Sequence, residues 1–398
     1  MKKIITMVGT SMFENYLKEN QDDSTFRNYI DALKDRRADE YKDNKDRVGQ
    51  IKQRLSPWLN HNENSSAEIK SLVKLKHELN ESFGIYLLSS DTILSKLAGE
   101  ILQERLPEFA DLSSSEIHLG EIKGLQVWDR DDFSRKGMIS LIDEIYRIAS
   151  EYWNNLIINI TGGYKATVPY LTIIAQVNRC KVYYIFEDTD ALIEIPYIPL
   201  SIKWEIFKEN EELFASLERE GIREIKTGNK YREEIEHLVE RADNLISLNP
   251  LGVALWETYK QRIDIFYISE LAKKYIEKKG EQYKKISQET FKELKRRLRK
   301  NPDNPDLKHH IRGVGLPQEF YCFKHKEDNL QVRVLYKKNA RKTRYGSQEL
   351  DIYIGLIKIG SDVHNVESEY IDDFKRHSEK IKDIENYKAY RIERQGGA

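Results

Sequence analysis

Lysine, arginine, histidine and tyrosine gather in three short clusters toward the C-terminal end of this chain. The first is Lys308-His309-His310-Ile311-Arg312-Gly313. The second is Phe320-Tyr321-Cys322-Phe323-Lys324-His325-Lys326, and the third is Ser361-Asp362-Val363-His364-Asn365, with Tyr370 beyond it. Between the last two lies Val332-Arg333-Val334-Leu335-Tyr336, a strand-like run. A period of two places Cys322, Lys324 and Lys326 on one face of their strand, and Arg333 with Leu335 on one face of the next. Metal-independent RNA cleavage needs a base for the 2′-hydroxyl, cations for the phosphorane and an acid for the leaving 5′-oxygen. These side chains are of the types that meet those needs, although any one of them alone is more often a surface charge. No acidic pair is obviously arranged to hold a metal.

Two further turns, both near the N-terminus, could hold an anion. Val8-Gly9-Thr10-Ser11 follows an apolar run, with Asn15 one helical turn on. Asn159-Ile160-Thr161-Gly162-Gly163-Tyr164-Lys165-Ala166-Thr167 follows another. Glycines let backbone N–H groups approach a ligand, and a helix N-terminus favours negative charge. Thr10, Ser11 and Thr161 add hydroxyls, and Lys165 adds a positive charge at the mouth. The spacing is neither the P-loop nor the dinucleotide fingerprint, so ATP hydrolysis is disfavoured. Most glycine-rich turns simply turn the chain; two in one sheet make binding about as expected as not.

The elements that must position these residues follow from the pattern. Strands are expected at Lys3–Val8, Gly84–Leu88, Ile117–Gly120, Leu125–Trp128, Leu156–Ile160 and Val182–Phe186, alternating with helices such as Thr92–Leu106, Ser134–Tyr152 and Lys165–Val177. That rhythm implies an open, mostly parallel α/β sheet with ligands at the carboxyl ends of its strands. Ser89-Ser90-Asp91 follows the second strand and sits at the same edge. From Ile202 to Tyr275 the periodicity is helical, so a connector over 201–280 is expected, with room for a small winged-helix-like unit. A basic helix, Ile286–Lys300, ends at Asn301-Pro302. Strands are expected at Glu319–Lys324, Gln331–Lys337 and Leu350–Ile359, and a helical tail at Glu369–Tyr390.

With 398 residues, 33% charged and 39% hydrophobic, the chain is long enough for two or three folded domains and is not of disordered composition. Net charge is −1, so no global attraction to nucleic acid exists. Locally, Glu281–Gly346 carries eighteen Lys/Arg against eight Asp/Glu, which suits a polyanion partner. A charge run by itself is more often a solvated helix face. Cys180 and Cys322, far apart, make a disulfide framework or thiolate metal site unexpected. No signal peptide or membrane-spanning stretch is recognisable, so a cytoplasmic protein with no membrane partner is expected.

Val-Gly-Thr-Ser after the first strand and the Asn159–Gln176 segment resemble the CARF (CRISPR-associated Rossmann fold) domain over roughly the first 200 residues. The resemblance implies a homodimer that binds cyclic oligoadenylate across its two-fold axis, with the tetramer the expected ring. It assigns ligand contact to Gly9, Thr10, Ser11, Thr161, Gly162, Gly163 and Lys165, and less specifically to Ser90 and Asp91. Some CARF domains slowly cut their own activator, a role in which Ser11 and Lys165 could serve. Residues 283–380 resemble the RelE/ParE-type toxins, best at Ile311-Arg312-Gly313, Arg333-Val334-Leu335-Tyr336 and Leu356-Ile357-Lys358-Ile359-Gly360. The mRNA-interferase branch of that family cleaves mRNA in the ribosomal A site. Lys324 then falls on a catalytic lysine, Arg333 on the phosphate-binding arginine and Tyr370 on the late tyrosine. Lys326 and Arg312 join them as catalytic candidates, and His364 takes acid–base work. The chain departs from the pattern at Cys322, where a lysine is common, and near Asp362, where an arginine is common. The gyrase-poisoning branch, which cuts no RNA, therefore stays open.

The expected architecture is thus a CARF domain over 1–200, a connector over 201–280 and a small α+β RelE-like domain over 281–398. The function implied is a cyclic-oligoadenylate-activated, ribosome-dependent endoribonuclease of antiviral defence, with ribosome and mRNA as partners and neither cofactor nor metal. Three alternatives compete. Arg232 to His237 matches the spacing of a HEPN ribonuclease, a pattern common by chance in charged helices. Glu349 and Asp351 are the acids a metal-dependent nuclease would need. A CARF protein joined to a DNA-binding winged helix would be a transcriptional regulator.

Overall fold

Seven residues, Lys2–Val8, form β1, whose last five are buried, as a strand covered on both faces requires. It pairs in parallel with β2 (Phe83–Ser90) on one side and β4 (Leu156–Asn159) on the other. β3 (Glu116–Ile122) and β5 (Lys181–Ile185) extend the sheet in parallel, and β6 (Leu192–Ile195) closes it antiparallel to β5. The order is β3-β2-β1-β4-β5-β6, with helices in the crossovers. The computed structural model describes all residues except 61, 110, 151, 187–190, 200, 225–232, 310–316, 318, 343–347, 361–368 and 395–398, and only the backbone of 342, 348, 349, 369 and 370.

Within this N-terminal unit, Met1–Tyr259, the core gathers Ile4, Val8, Ile85 and Leu87 from the strands with Phe26, Ile51, Leu72 and Leu97 from the helices. The strand expected at Leu125–Trp128 is absent. Gly124 has a φ of +78° and donates its N–H to Asp91 Oδ2 at 2.9 Å, and Asp91 N–H bonds Leu125 O, so the segment is a tied turn. β6 was not expected: its Leu-Ile-Glu-Ile run is short and interrupted by a glutamate.

The stretch read as helical from 202 onward contains a second sheet. β7 (Arg223–Glu224), β8 (Val239–Ala242) and β9 (Leu245–Leu248) pair antiparallel in the order β7-β9-β8. Helices Glu211–Glu220 and Pro250–Arg262 flank it in sequence, and Trp256 donates to buried Glu218 at 2.9 Å.

The C-terminal unit, Lys260–Ala398, starts inside the expected connector. β10 (Ile263–Ile268) joins a five-stranded sheet of order β11-β12-β13-β10-β14. β11 (Phe320–Glu327), β12 (Leu330–Lys342) and β13 (Gln348–Gly360) are an antiparallel meander, and β13 meets β10 in parallel. β14 (Lys388–Glu393) replaces the end of the helical tail expected there: Tyr390 and Ile392 alternate inward, and the helix ends at His377. The helical hairpin Glu270–Lys279 and Glu281–Lys300 covers one sheet face through Ile276, Phe291, Leu294 and Leu298. The other face carries Cys322, Leu335 and Leu356 against Ile371 and Phe374 of the Glu369–His377 helix.

The pairing of β12 with β13 shifts register at Leu335/Tyr336, where Gly355 is the extra residue of β13. Ile357 and Ile359 before the shift, and Ile352 and Ile354 after it, all enter the same core. Gly355 permits this, because a Cβ there would lie 2.9 Å from Ile381 Cδ1 and 3.1 Å from the Tyr387 hydroxyl. Among the described residues no helix is long and apolar enough to cross a membrane.

Candidate functional site

β1 and β4 are neighbours, so the two glycine turns abut at the carboxyl edge of the N-terminal sheet. A Cβ on Gly9 would lie 3.0 Å from the Gly163 nitrogen. Gly163 has a φ of +81°, and a side chain there would collide with Met7, while one on Gly162 would collide with the carboxyl of Glu68.

Glu68, which sequence reasoning missed, occupies the centre of this arrangement. Its side chain comes from the first turn of the Ala67–Leu79 helix and is 1% exposed. Gly9 N–H donates to Glu68 Oε1 at 2.8 Å and the Ser11 hydroxyl to Oε2 at 3.5 Å, while Ser11 Oγ accepts Ala67 N–H at 3.2 Å. Burial pushes the Glu68 carboxyl above its usual range, against the N–H and hydroxyl donors that favour its charged form. In sequence it is an ordinary acid at a helix N-terminus. Its contact with Gly9 spans 59 positions, and no local signal reveals it.

The other expected contacts divide by exposure. Thr161 is buried: its hydroxyl donates to Asn159 Oδ1 at 2.7 Å and accepts Ile185 N–H at 3.0 Å, fastening β4 to β5. Ser90 is buried, its hydroxyl 3.2 Å from that of Thr92. Asp91 is 2% exposed and paired with Arg37 at 3.0 Å as well as with Gly124 N–H. Thr10 caps the Ser11–Glu19 helix without a side-chain cap bond, and Lys165 is exposed at the edge. Gly9, Thr10, Ser11, Gly162, Gly163 and Lys165 are thus together at the turns, whereas Thr161, Ser90 and Asp91 serve as internal ties.

In the C-terminal unit, register brings three cations into one row across three strands: Lys324 of β11 faces Arg333 of β12, and Arg333 faces Lys358 of β13. Lys324 and Lys326 are exposed. Arg333 is 2% exposed; its Nη1 donates to Val332 O at 3.0 Å, and its Nε is buried with no partner among the described residues. Such an atom calls for a partner that the described side chains do not supply. Lys358 pairs with Asp373 at 2.5 Å, with its ammonium 4.7 Å from the Tyr275 ring centre, and Asp373 also holds His377 Nδ1 at 3.2 Å. Cys322, next on the same face, is buried, and burial pushes its thiol up to about 12, so it is not a ready nucleophile.

Lys358, Asp373 and His377 were not assigned roles from sequence. Lys358 falls on the row only because of the Gly355 bulge. Arg312 and His364 lie outside the described residues. The backbone of Tyr370 sits in the first turn of the Glu369–His377 helix, and its side chain lies outside the description.

Arg232 of the HEPN-like spacing is also outside the description, and the helix beside it, Glu233–Glu236, is four residues long with three glutamates. Asp351 is paired with Arg341 at 3.4 Å. Among the described residues no group of three His, Cys, Asp or Glu side chains could hold a metal.

A comparison with curated proteins found no match. Residues 63–198, which include Glu68 and the Thr161–Lys165 turn, match the model of a CRISPR-associated protein family, Cas_APE2256, and this similarity is consistent with a role in CRISPR defence.

Proposed function

We propose that this chain is a CRISPR-defence effector whose N-terminal unit senses cyclic oligoadenylate and whose C-terminal unit cuts mRNA on the ribosome without a metal. The observation that carries the reading is the Lys324–Arg333–Lys358 row, with a buried guanidinium whose Nε lacks a partner among the described residues. A phosphodiester set against it would meet donors aimed at the charge that develops on the phosphorane. Attack by the 2′-hydroxyl forms the 2′,3′-cyclic phosphate and breaks the bond to the 5′-oxygen. Arg333 and Lys358 stabilise the phosphorane, and the exposed Lys324 ammonium donates a proton to the leaving oxygen. Alignment by the ribosome lowers the demand on a side-chain base, and the 2′-hydroxyl proton passes to water. The strand–helix–helix–meander order, with β10 parallel to β13, supports a RelE-like unit.

The parallel sheet and the family match support a CARF-like sensor. Self-association through that unit is supported by the Val168–Asn178 helix, apolar nearly all round, and by exposed Ile193, Tyr197 and Ile198 at the β6 edge. The DNA-regulator alternative draws little support, because the Glu233–Glu236 helix ahead of the β8–β9 hairpin is short and acidic.

In-vitro translation with and without cyclic oligoadenylates, with mRNA ends mapped, tests the reading. Cutting should require the activator and vanish in both Arg333→Ala and Lys165→Glu. Intact mRNA under every condition with the parent protein would overturn it.

A further inference from the structure

The N-terminal unit presents an exposed tryptophan at the same sheet edge as the glycine turns. Val8 of β1, Ser89 of β2 and Glu121 of β3 lie in one row, so the three strands end level. Across that row Val8 and Glu121 are about 10 Å apart, two strand spacings. Past Ile122 the chain folds back toward β2, because Asp91 takes Gly124 N–H on its carboxylate and gives its own N–H to Leu125 O, each at 2.9 Å. The tip that follows is closed by one residue pair. Gln126 is fully buried; its Oε1 accepts Asp129 N–H at 2.9 Å and its Nε2 donates to Asp129 O at 3.3 Å. Enclosed between these two residues are Val127 and Trp128, 57% and 42% exposed.

Isolated exposed apolar residues are ordinary on a protein surface. This pair is held out by polar groups that are themselves fixed. Arg37 grips both ends of the segment, Asp91 at 3.0 Å and Asp132 at 3.2 Å, and Asp129 Oδ1 accepts the N–H groups of Asp131 and Asp132. A tip braced in this way loses little freedom when a ligand settles on it. Trp128 is also the only exposed one of the chain's five tryptophans. The exposed residues of the β6 edge are at the opposite end of the sheet, so Val127 and Trp128 are no part of that patch. The segment sets Asp129, Asp131 and Asp132 against one cation of its own, Arg130, so a phosphate is not the group it suits. A flat, uncharged base is, and the separation from the glycine turns is on the scale of one nucleotide, phosphate to base.

We infer that Trp128, with Val127, is a platform on which an adenine of the activator stacks, so that the ring is held by phosphate at the glycine turns and by a base at the loop after β3. The inference rests on the reading of this unit as a cyclic-oligoadenylate sensor, and adds to it a residue that holds a base.

Full-length protein is titrated with cyclic tri-, tetra- and hexa-adenylate by calorimetry and by intrinsic tryptophan fluorescence. Trp128→Ala should weaken binding of the preferred ring roughly tenfold or more, whereas Trp128→Phe, which keeps an aromatic face, should bind within about threefold of the parent. The ring should quench the parent's fluorescence, and that quenching should disappear in Trp128→Phe although the ring still binds. Binding by Trp128→Ala within about twofold of the parent would overturn the inference. So would equal weakening in Trp128→Phe, or a bound ring that leaves the parent's fluorescence unchanged. A parent that binds none of the three rings would instead overturn the sensor reading, and this inference with it.

Discussion

The two regions that could hold an anion solve opposite electrostatic problems. At the glycine turns the donors are already engaged: Gly9 N–H and the Ser11 hydroxyl point at Glu68, a buried acid supplied by the protein itself. On the C-terminal sheet the buried group is a cation, Arg333, one of whose nitrogens has no partner among the described residues. An incoming phosphate must therefore displace or neutralise a carboxyl at the first region, whereas at the second it completes a bond. A site of the first kind suits a switch, because binding has to rearrange something; a site of the second kind suits chemistry, because its donors are held in place beforehand.

The largest effect should come from the cation. Arg333→Ala is expected to lower mRNA cleavage by roughly 100- to 1000-fold, the usual loss for one transition-state donor. Arg333→Met should cost similar activity yet leave the unit equally stable or more so by about 1–4 kcal/mol, since a buried charge gives way to an apolar chain. Urea unfolding beside end-mapping measures both, and a strongly destabilised Arg333→Met would make the guanidinium structural. Gly163→Ala comes next. Left-handed backbone and collision with Met7 should together cost about 1–3 kcal/mol and weaken activator binding, read by thermal melting and calorimetry.

Glu68→Gln sharpens the contrast most directly. An amide, which can carry no charge among these donors, should tighten cyclic-oligoadenylate binding on the order of tenfold once pH exceeds the raised value. Because the folded protein holds the Glu68 proton more tightly than the unfolded chain does, this residue's contribution to stability is present at low pH. It is lost as pH rises from the ordinary value of 4.5 through the raised one. The variant should lose that decline, and a parallel pH–stability curve for both proteins would remove Glu68 from the argument. The smallest effect belongs to Asp373→Asn. Freeing Lys358 from a part-exposed ion pair should change stability by about 0–1 kcal/mol. Urea unfolding of the variant beside the parent would register it.

How much of this was visible in the residues depended on the range of the interaction. β1, β2, β4 and β5 were legible because each is a continuous apolar run that needs no partner to be recognised. β7, β8 and β14 were not, since their short, charged sequences become strands only by pairing; β9 is only four residues long, and β10 was hidden because Asp264 interrupts it yet is paired with Lys295. Lys324 and Arg333 could be set on strand faces from sequence alone. That they are opposite each other depends on the Asp328-Asn329 turn, where both residues have positive φ. Glu68 lay beyond reach, as its role depends on a helix folding back over turns far away in the chain.

Gly355 has a consequence for how this unit can change over time. Because one additional residue resets the alternation of β13 midway, Lys358 and the isoleucines nearer the strand's start answer to separate phases. A length change confined to residues 343–347 leaves Lys358 facing Arg333, and one beyond Gly360 leaves Ile352 and Ile354 inward. Loss of the glycine itself would oblige one set to turn over, so a lineage that keeps both the cationic row and the helix-covered core is expected to retain a small residue at this point.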